Sequence, residues 1–151
     1  MRRKDREMTS RAELDALIYR CEVCRLGLSV ADQPYVVPLF FGYDGRRLYL
    51  HCAHTGRKLE LLRQNPRVCV EFDVLLGLER NEKPCAWSAR YQSVIGTGTA
   101  RIVESVEEKQ VALVLMMAHY GAPDARFTAE EAANVTVLCV ELEELTGKQR
   151  L

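Results

Sequence analysis

A cluster of basic and hydroxyl side chains stands where a predicted strand passes into a predicted short helix. The cluster belongs to the segment His51-Cys52-Ala53-His54-Thr55-Gly56-Arg57-Lys58. Cations in the first turn of a helix are unfavourable by a few tenths to about 1 kcal/mol, because the helix N-terminus carries a partial positive charge and unpaired N–H groups. A bound anion reverses this effect. With Thr55 as the N-cap and Gly56 allowing close approach, Arg57 and Lys58 predict a phosphate site; the alternative is a solvated basic turn.

A second segment, Pro84-Cys85-Ala86-Trp87-Ser88-Ala89-Arg90-Tyr91-Gln92-Ser93-Val94, combines aromatic and hydrogen-bonding side chains. It contains the only tryptophan of the chain, close to Arg90, Tyr91 and Ser93. Aromatic faces beside polar groups suit a flat heteroaromatic ligand, which needs apolar walls and a few polar contacts at its edge. The alternative is a structural role in which Arg90 stacks on Trp87.

The three histidines, His51, His54 and His119, do not form a recognisable catalytic or metal-binding motif. None stands in a Ser-His-Asp, Cys-His or HExxH setting. His51 and Cys52 are neighbours, but adjacent residues of a strand point to opposite faces of the sheet. Any reactivity is therefore expected from a bound cofactor, with the protein supplying position and electrostatics.

The composition restricts the possible partners. The chain has 151 residues, which favours one domain over residues 1–151, and its 21 basic residues balance 21 acidic ones. A net charge of zero argues against a nucleic-acid-binding surface, which normally has a basic excess. The first residues contain no apolar signal segment, and no apolar run approaches the roughly 18–20 residues of a membrane helix. We therefore expect a cytoplasmic protein without a membrane partner.

The six cysteines do not indicate a disulfide framework in a chain expected to be cytoplasmic. Cys69 and Cys139 lie in apolar, strand-like segments and are predicted to be buried thiols. Cys21 and Cys24 have CxxC spacing, but no second ligand pair follows at the distance typical of a zinc ribbon. We interpret them as two small hydrophobic residues between a helix and a strand; a metal or redox pair is the alternative.

Besides the short helix after Thr55, turn residues and apolar periodicity predict three helices and about six strands. The helices begin at capping-box sequences that start with Ser10, Ser105 and Thr128. The strands cover residues 25–30, 35–41, 47–52, 67–72, 93–103 and 136–142. Because the helices do not alternate regularly with the strands, the pattern favours a mainly β fold, a small antiparallel barrel with flanking helices, over a Rossmann sheet.

Two predicted elements have unusual side-chain patterns. The helix over residues 106–120 is apolar on nearly every side between Val111 and Ala118, which predicts that another subunit covers it in addition to its own barrel. A position in the centre of a monomer core is the alternative. Gly96 and Gly98 alternate in the strand over residues 93–103, which indicates a barrel corner, a close approach of two backbones, or a weakly packed edge strand.

The order of these segments resembles a known family. Tyr49-Leu50-His51-Cys52, Gly56-Arg57-Lys58-Leu59, Asn65-Pro66-Arg67-Val68 and the run from Trp87 to Gly96 are similar to the FMN-binding split-barrel superfamily of pyridoxamine 5'-phosphate oxidase. Within it, the chain is most similar to the nitroimidazole-resistance (Nim) group of flavin-nucleotide-binding proteins. The similarity extends over nearly the whole chain.

The resemblance implies a homodimer with FMN at the subunit interface. Arg57 and Lys58 would hold the FMN phosphate, with His51 and Cys52 beside the ribityl chain. The strand residues implied at the isoalloxazine edge, through their backbone groups, are Val36, Val37, Pro38 and Leu39. The residues implied to approach the flavin from their own or the other subunit are Trp87, Tyr91 and Ser93.

The resemblance also implies an activity. The sequence Thr146-Gly147-Lys148-Gln149-Arg150-Leu151 lacks the motif of arginine and histidine with which pyridoxamine phosphate oxidases bind their substrate, so oxidation of vitamin B6 is not expected. We expect a flavin-dependent reductase of small oxidants such as nitroaromatic compounds, with His51 as a hydrogen-bond donor or proton source. The alternative is a flavin-, F420- or haem-binding protein without turnover.

Overall fold

One antiparallel sheet forms the framework of the computed structural model, which describes residues 3–151. Its strands are β1 (Glu7–Met8), β2 (Cys24–Val30), β3 (Gln33–Leu39), β4 (Gly42–Tyr43), β5 (Arg47–Cys52), β6 (Arg67–Glu79), β7 (Ser88–Ile102) and β8 (Thr136–Arg150). Their order is β3-β2-β6-β7-β8-β5-β4, and β1 pairs with β8. Within the described residues β3 and β4 do not pair with each other, so the barrel is split there, as predicted. Met1 and Arg2 of the predicted domain lie outside the described residues.

The described residues also contain four α-helices: α1 (Arg11–Arg20), α2 (Arg57–Gln64), α3 (Val106–His119) and α4 (Ala129–Ala133). Short 3-10 helices occur at Lys4–Arg6 and Pro84–Ala86. Ser105 and Thr128 cap α3 and α4 as predicted, because each side chain accepts a hydrogen bond from a backbone N–H in the first turn. Ser10 is the N-cap of α1, but its side chain makes no capping hydrogen bond. None of these helices is long and apolar enough to cross a membrane.

Strand β5 is covered on both of its faces. Leu48 and Leu50 point into the barrel, whereas Tyr49 points outward and packs beneath α3. The barrel interior is filled by large apolar side chains, among them Ile18, Leu26, Phe41, Val70, Phe72, Val94 and Leu138. A second cluster between α3 and the outer side of β5 and β8 includes Ala112, Leu113, Met116, Val137 and Cys139. The barrel thus covers one side of α3; whether a second subunit covers the other side stays a prediction.

The strands β6, β7 and β8 are longer than the sequence predicts. They extend to Glu79, back to Ser88 and on to Arg150, beyond the predicted limits at 72, 93 and 142. The added residues of β8 are mostly polar, and they pair in register with β7, for example Arg150 with Tyr91. Main-chain hydrogen bonds to neighbouring strands therefore determine the length of these strands, and at the end of β8 no apolar pattern indicates them.

The glycines of β7 mark a close approach of two backbones. β7 lies between β6 and β8, so the interpretation of a weakly packed edge strand is wrong. A Cβ atom at Gly98 would collide with the carbonyl oxygen of Glu141 on β8. The register between the two strands shifts at the same place, between Thr97 and Gly98. The predicted close approach is confirmed, and Gly98 is needed because β8 leaves no space for a side chain.

The cysteines differ in burial. Cys21, Cys24 and Cys139 are buried, and the first two belong to the barrel core, as expected for small hydrophobic residues. Burial raises the pKa of the Cys21 thiol to about 11 and that of Cys24 to about 12, so both remain protonated at neutral pH. The prediction for Cys69 is wrong, because this residue is exposed. Its neighbours Val68 and Val70 point into the barrel, and alternation along β6 turns Cys69 to the outer face.

Replacing Gly42 by alanine is expected to destabilise the protein by about 1–3 kcal/mol, as overpacking of a well-packed interior does. A Cβ atom at Gly42 would lie 2.7 Å from the backbone nitrogen of Met116 and 2.9 Å from the carbonyl carbon of Leu115. Backbone atoms of α3 cannot move aside as the end of a flexible side chain can. Urea unfolding followed by circular dichroism measures the effect. An unchanged unfolding midpoint would contradict this tight packing of α3 on β4.

Candidate functional site

The loop between β5 and α2 forms an open start to that helix. α2 begins at Arg57, and its N-cap is Gly56, not Thr55 as predicted. Gly56 has a φ of 129°, a backbone conformation that favours glycine, and this conformation places Thr55 one residue before the cap. No side chain caps the helix. A Cβ atom at Gly56 would have no heavy atom within 4 Å, so the space in front of the helix is open.

The backbone N–H groups at this start are available to a ligand. The N–H groups of Leu59 and Glu60 both donate to the carbonyl oxygen of Gly56, at 3.0 and 3.3 Å. Over residues 3–151, the N–H groups of Gly56, Arg57 and Lys58 have no acceptor. Three free donors beside open space match the requirement of a phosphate group, whose oxygens accept several hydrogen bonds at a helix N-terminus.

The two cations of the cluster are not neutralised by acidic side chains. In the described part of the chain, neither Arg57 nor Lys58 forms an ion pair. The Arg57 guanidinium carbon lies 4.9 Å from the centre of the Tyr35 ring on β3, a cation–π arrangement. Burial raises the pKa of the Cys52 thiol, and the positive charge of Lys58 partly opposes this shift. The start of α2 therefore carries two uncompensated positive charges between β3 and β5.

The residues predicted on β3 lie on an edge strand. Val37 and Leu39 pack against the barrel core, whereas Val36 and Pro38 alternate with them and point outward. β3 pairs with β2 on one side, and no other described strand occupies its second side. The backbone groups along that side are consequently free, as a strand that contacts a ligand through its main chain requires.

His51 lines an apolar groove beneath α3. Its side chain lies on the outer side of β5, while Cys52 packs against the barrel core, so the prediction of opposite faces is confirmed. The groove has a volume of about 410 Å³. Its walls are formed by Phe40, His51, Leu113, Met116, Met117, Tyr120, Phe127 and Val135. Among the contacts of the described chain, the His51 ring has no hydrogen-bond partner.

The other two histidines have structural partners. The Asn134 carbonyl can only accept, so His54 donates to it from Nε2 over 2.9 Å, and its Nδ1 accepts from the Thr136 hydroxyl over 2.7 Å. This pair of hydrogen bonds ties the loop before α2 to the start of β8. His119 donates from Nε2 to the Cys21 carbonyl over 2.7 Å. His51 is therefore the histidine whose ring remains free to contact a ligand.

Trp87, Tyr91 and Ser93 lie far from the start of α2 within one chain. Cys52, close to that start, pairs with Thr136 at the beginning of β8, whereas Tyr91 pairs with Arg150 at its end. β8 has 15 residues, and a strand rises about 3.3 Å per residue, so tens of ångströms separate the two groups along it. The structure brings the predicted residues of β3, β5 and α2 together, but not these three.

The Trp87 side chain is half-exposed, and the arginine at its ring is Arg80, not the expected Arg90. Its Nε1 donates to the Asn81 carbonyl over 2.7 Å, and the Arg80 guanidinium carbon lies 5.7 Å from the ring centre. The alternative in which Arg90 stacks on Trp87 is wrong, because the Arg90 guanidinium lies over Gly77, its partner across the hairpin. The guanidinium of Arg80 is at the distance of a cation–π contact, which leaves the rest of the ring exposed.

Sequence reasoning missed most of the groove residues. Phe40, Tyr120 and Phe127 come from three separate segments, and no local motif connects them. The one available signal was α3, whose apolar residues surround the helix and predict contacts on more than one of its sides. The contact of Arg57 with Tyr35 could not be predicted from a local spacing of residues either.

Comparison with known proteins shows the family of the chain. Residues 10–149 match the family Pyridoxamine 5'-phosphate oxidase. The uncharacterized protein RA0666 of Rhizobium meliloti (strain 1021) is 31% identical over 88 residues, which are 58% of this chain and 57% of that protein. The chain thus spans little more than half the length of the curated relative that it matches.

Two solved structures are similar over most of the chain. A candidate 5-nitroimidazole antibiotic resistance protein from Bacteroides thetaiotaomicron VPI-5482 is 31% identical with a TM-score of 0.82, covering 94% of this chain and 85% of that one. The FAD- and haem-binding protein from Mycobacterium smegmatis is 22% identical with a TM-score of 0.84, covering 95% and 73%; this second likeness concerns the fold. The chain therefore belongs to the pyridoxamine 5'-phosphate oxidase family of split barrels, within its nitroimidazole-resistance-like group.

Proposed function

We propose that this protein binds FMN and acts as an oxidoreductase that reduces small oxidants such as nitroaromatic compounds. The observation that carries the proposal is the open start of α2, where three free N–H groups and the unpaired cations Arg57 and Lys58 stand beside open space. The similarity to the Bacteroides protein supports the class of oxidant.

Each part of the site has a separate task in this proposal. Bound FMN would supply the transfer of electrons from a reductant to the oxidant. Arg57, Lys58 and the N–H groups around Gly56 hold the phosphate, and the free backbone side of β3 at residues 36–39 contacts the ring edge. Cys52 packs beside the ribityl chain. His51 provides a proton from its ring to the oxidant, because the product of a reduced nitro group needs protons as well as electrons.

A second copy of the chain would complete the site. The outer face of the sheet carries apolar side chains: Val36, Cys69, Leu75, Leu78 and Ile95. Val36 is 63% exposed and Leu75 60% exposed, and they lie beside the ion pairs of Arg25 with Glu71 and Asp73. Exposed apolar side chains mixed with charged ones are typical of a subunit interface. We propose that a homodimer buries this face and brings Trp87, Tyr91 and Ser93 of the partner copy to the flavin.

Light scattering of the purified protein is expected to give twice the monomer mass of 17.2 kDa. Replacing Ile95 by glutamate is expected to give the monomer and to release FMN, because a charge cannot be buried unpaired at the centre of the outer face. Both masses are measured at micromolar concentration. A monomer that retains FMN would contradict the shared site.

The absorption spectrum of the purified protein tests the cofactor. The two bands of oxidised flavin are expected, and extraction followed by mass spectrometry identifies FMN, FAD or F420. A Soret band would instead support the alternative of a haem-binding protein, and His51 would then be the axial ligand, because the rings of His54 and His119 are engaged. Absence of both chromophores after reconstitution with FMN would refute the proposed function.

A further inference from the structure

We infer that the groove beneath α3 binds the ring of an uncharged aromatic molecule and rejects anionic ones of the same shape. The inference rests on the proposed function, since it identifies the class of oxidant that this flavin site takes. At about 410 Å³ the groove falls within the range of about 300–1,000 Å³ that is usual for small-molecule sites. It is large enough for one or two fused rings.

The walls of the groove present carbon and sulfur atoms. The Tyr120 hydroxyl is turned away, because it donates to the Glu22 carbonyl over 2.7 Å and accepts from the Phe41 N–H over 3.0 Å. Tyr120 therefore offers its ring, which packs edge-on against Phe40 with centroids 5.1 Å apart. An aromatic ligand can contact these rings with the geometry that aromatic pairs prefer.

The two methionines of α3 allow the groove to accept ligands of different shape. Met116 is buried at the base of the groove, and Met117 is 39% exposed at its opening. Methionine is flexible, and its sulfur makes favourable contacts with aromatic rings. The pair can therefore adapt to rings with different substituents, which agrees with a reductase of several small oxidants.

The groove wall lacks the lysine and arginine side chains that would bind an anion. It also contains no carboxylate, and its single group with free polar atoms is the His51 ring. A carboxylate among these apolar walls would lose its hydration without gaining a lysine or arginine partner, and this loss disfavours burial. His51 can donate one hydrogen bond to a neutral acceptor such as a nitro oxygen, so it fixes which end of the ligand faces the flavin.

The groove adjoins the proposed flavin site. Phe40 in the groove wall directly follows Leu39, the last residue of β3, and His51 directly precedes Cys52, the last residue of β5 before the loop that leads to α2. The same short stretch of β5 thus forms the end of the groove and the beginning of the phosphate loop. A ring held against Met116 and Met117 can have its polar edge at His51, the residue next to the phosphate loop.

Equilibrium dialysis of the purified protein with 4-nitrobenzyl alcohol and 4-nitrobenzoate tests this inference directly. The two compounds share the ring and the nitro group, and only the second is an anion. We expect the alcohol to bind at least about tenfold more tightly. Met117→Glu, at the groove opening, is expected to reduce binding of the alcohol by about tenfold or more. The matched control Val111→Glu, at a more exposed position of the same helix outside the groove, is expected to leave it unchanged.

Equal affinity for the two compounds would overturn the inference even if Met117→Glu did not fold. An unchanged affinity in Met117→Glu, or an equal loss in Val111→Glu, would overturn the location of the site. Dialysis measures binding without turnover. Its result is therefore independent of whether the protein acts as a flavin-dependent reductase. That function fails if the protein does not retain flavin, or if its reduced flavin is not reoxidised by a nitro compound.

Discussion

Replacing Arg57 and Lys58 together by alanine is expected to weaken FMN binding by about 3 kcal/mol or more, which is at least about a hundredfold in Kd. Hydrogen bonds to charged groups contribute about 1.5–3 kcal/mol each, and both side chains stand at a helix start without acidic partners. Riboflavin, which lacks the phosphate, is expected to bind the variant almost as well as the natural protein. Titration of both ligands against both proteins, followed by flavin fluorescence, measures the two changes.

The same helix offers a control for this experiment. Arg63 lies in the last turn of α2, at the end opposite the open N–H groups. Arg63→Ala removes a cation from the helix but is expected to change FMN affinity by less than about threefold, because charge effects of a helix terminus fall off within one turn. An equal loss of riboflavin and FMN in the double variant would show that Arg57 and Lys58 support the fold and not the phosphate.

Replacing His51 by alanine is expected to retain FMN and to slow reoxidation of the reduced protein by a 5-nitroimidazole about a hundredfold, the lower range for loss of a general acid. The His51 ring is free among the described contacts and lies at the end of the groove, so a proton can pass from it to a nitro oxygen. Stopped-flow absorbance of the flavin band, after chemical reduction, measures the rate. Identical rates in both proteins would leave His51 without a catalytic role.

Two comparisons separate the chemical step from binding. His54→Ala removes the hydrogen bonds to Asn134 and Thr136 that hold the loop before α2, so we expect weaker FMN binding but an unchanged rate for the flavin that remains bound. Pyridoxamine phosphate added to the oxidised protein is expected to leave the flavin band unchanged. Bleaching of the band by this compound would instead support an oxidase of vitamin B6.

The basic side chains at the start of α2 could be predicted from the sequence. The order of strand, basic loop and short helix predicts cations at a helix N-terminus, and the structure places Arg57 and Lys58 there. The exact cap was not readable, because Thr55 and Gly56 are both acceptable cap residues. The backbone of Gly56, with its φ of 129°, decided between them.

Long-range pairing explains the largest differences from the predicted strands. The end of β8 is polar and carries no apolar alternation, so its residues form a strand only because β7 and β1 offer backbone partners. The same pairing places Tyr91 at one end of β8 and Thr136 at the other. Two segments that sequence reasoning assigned to one site are therefore separated within one chain.

The sequence by itself determined what depends on neighbouring residues: the capping residues Ser105 and Thr128, the opposite faces of His51 and Cys52, and the basic helix start. These features follow from short-range hydrogen bonds and from the periods of helices and strands. Only the tertiary structure decided which residues meet across the chain. The groove at His51 joins the end of β3, one side of α3 and the segment before β8, because the barrel and α3 bury apolar surface against each other there.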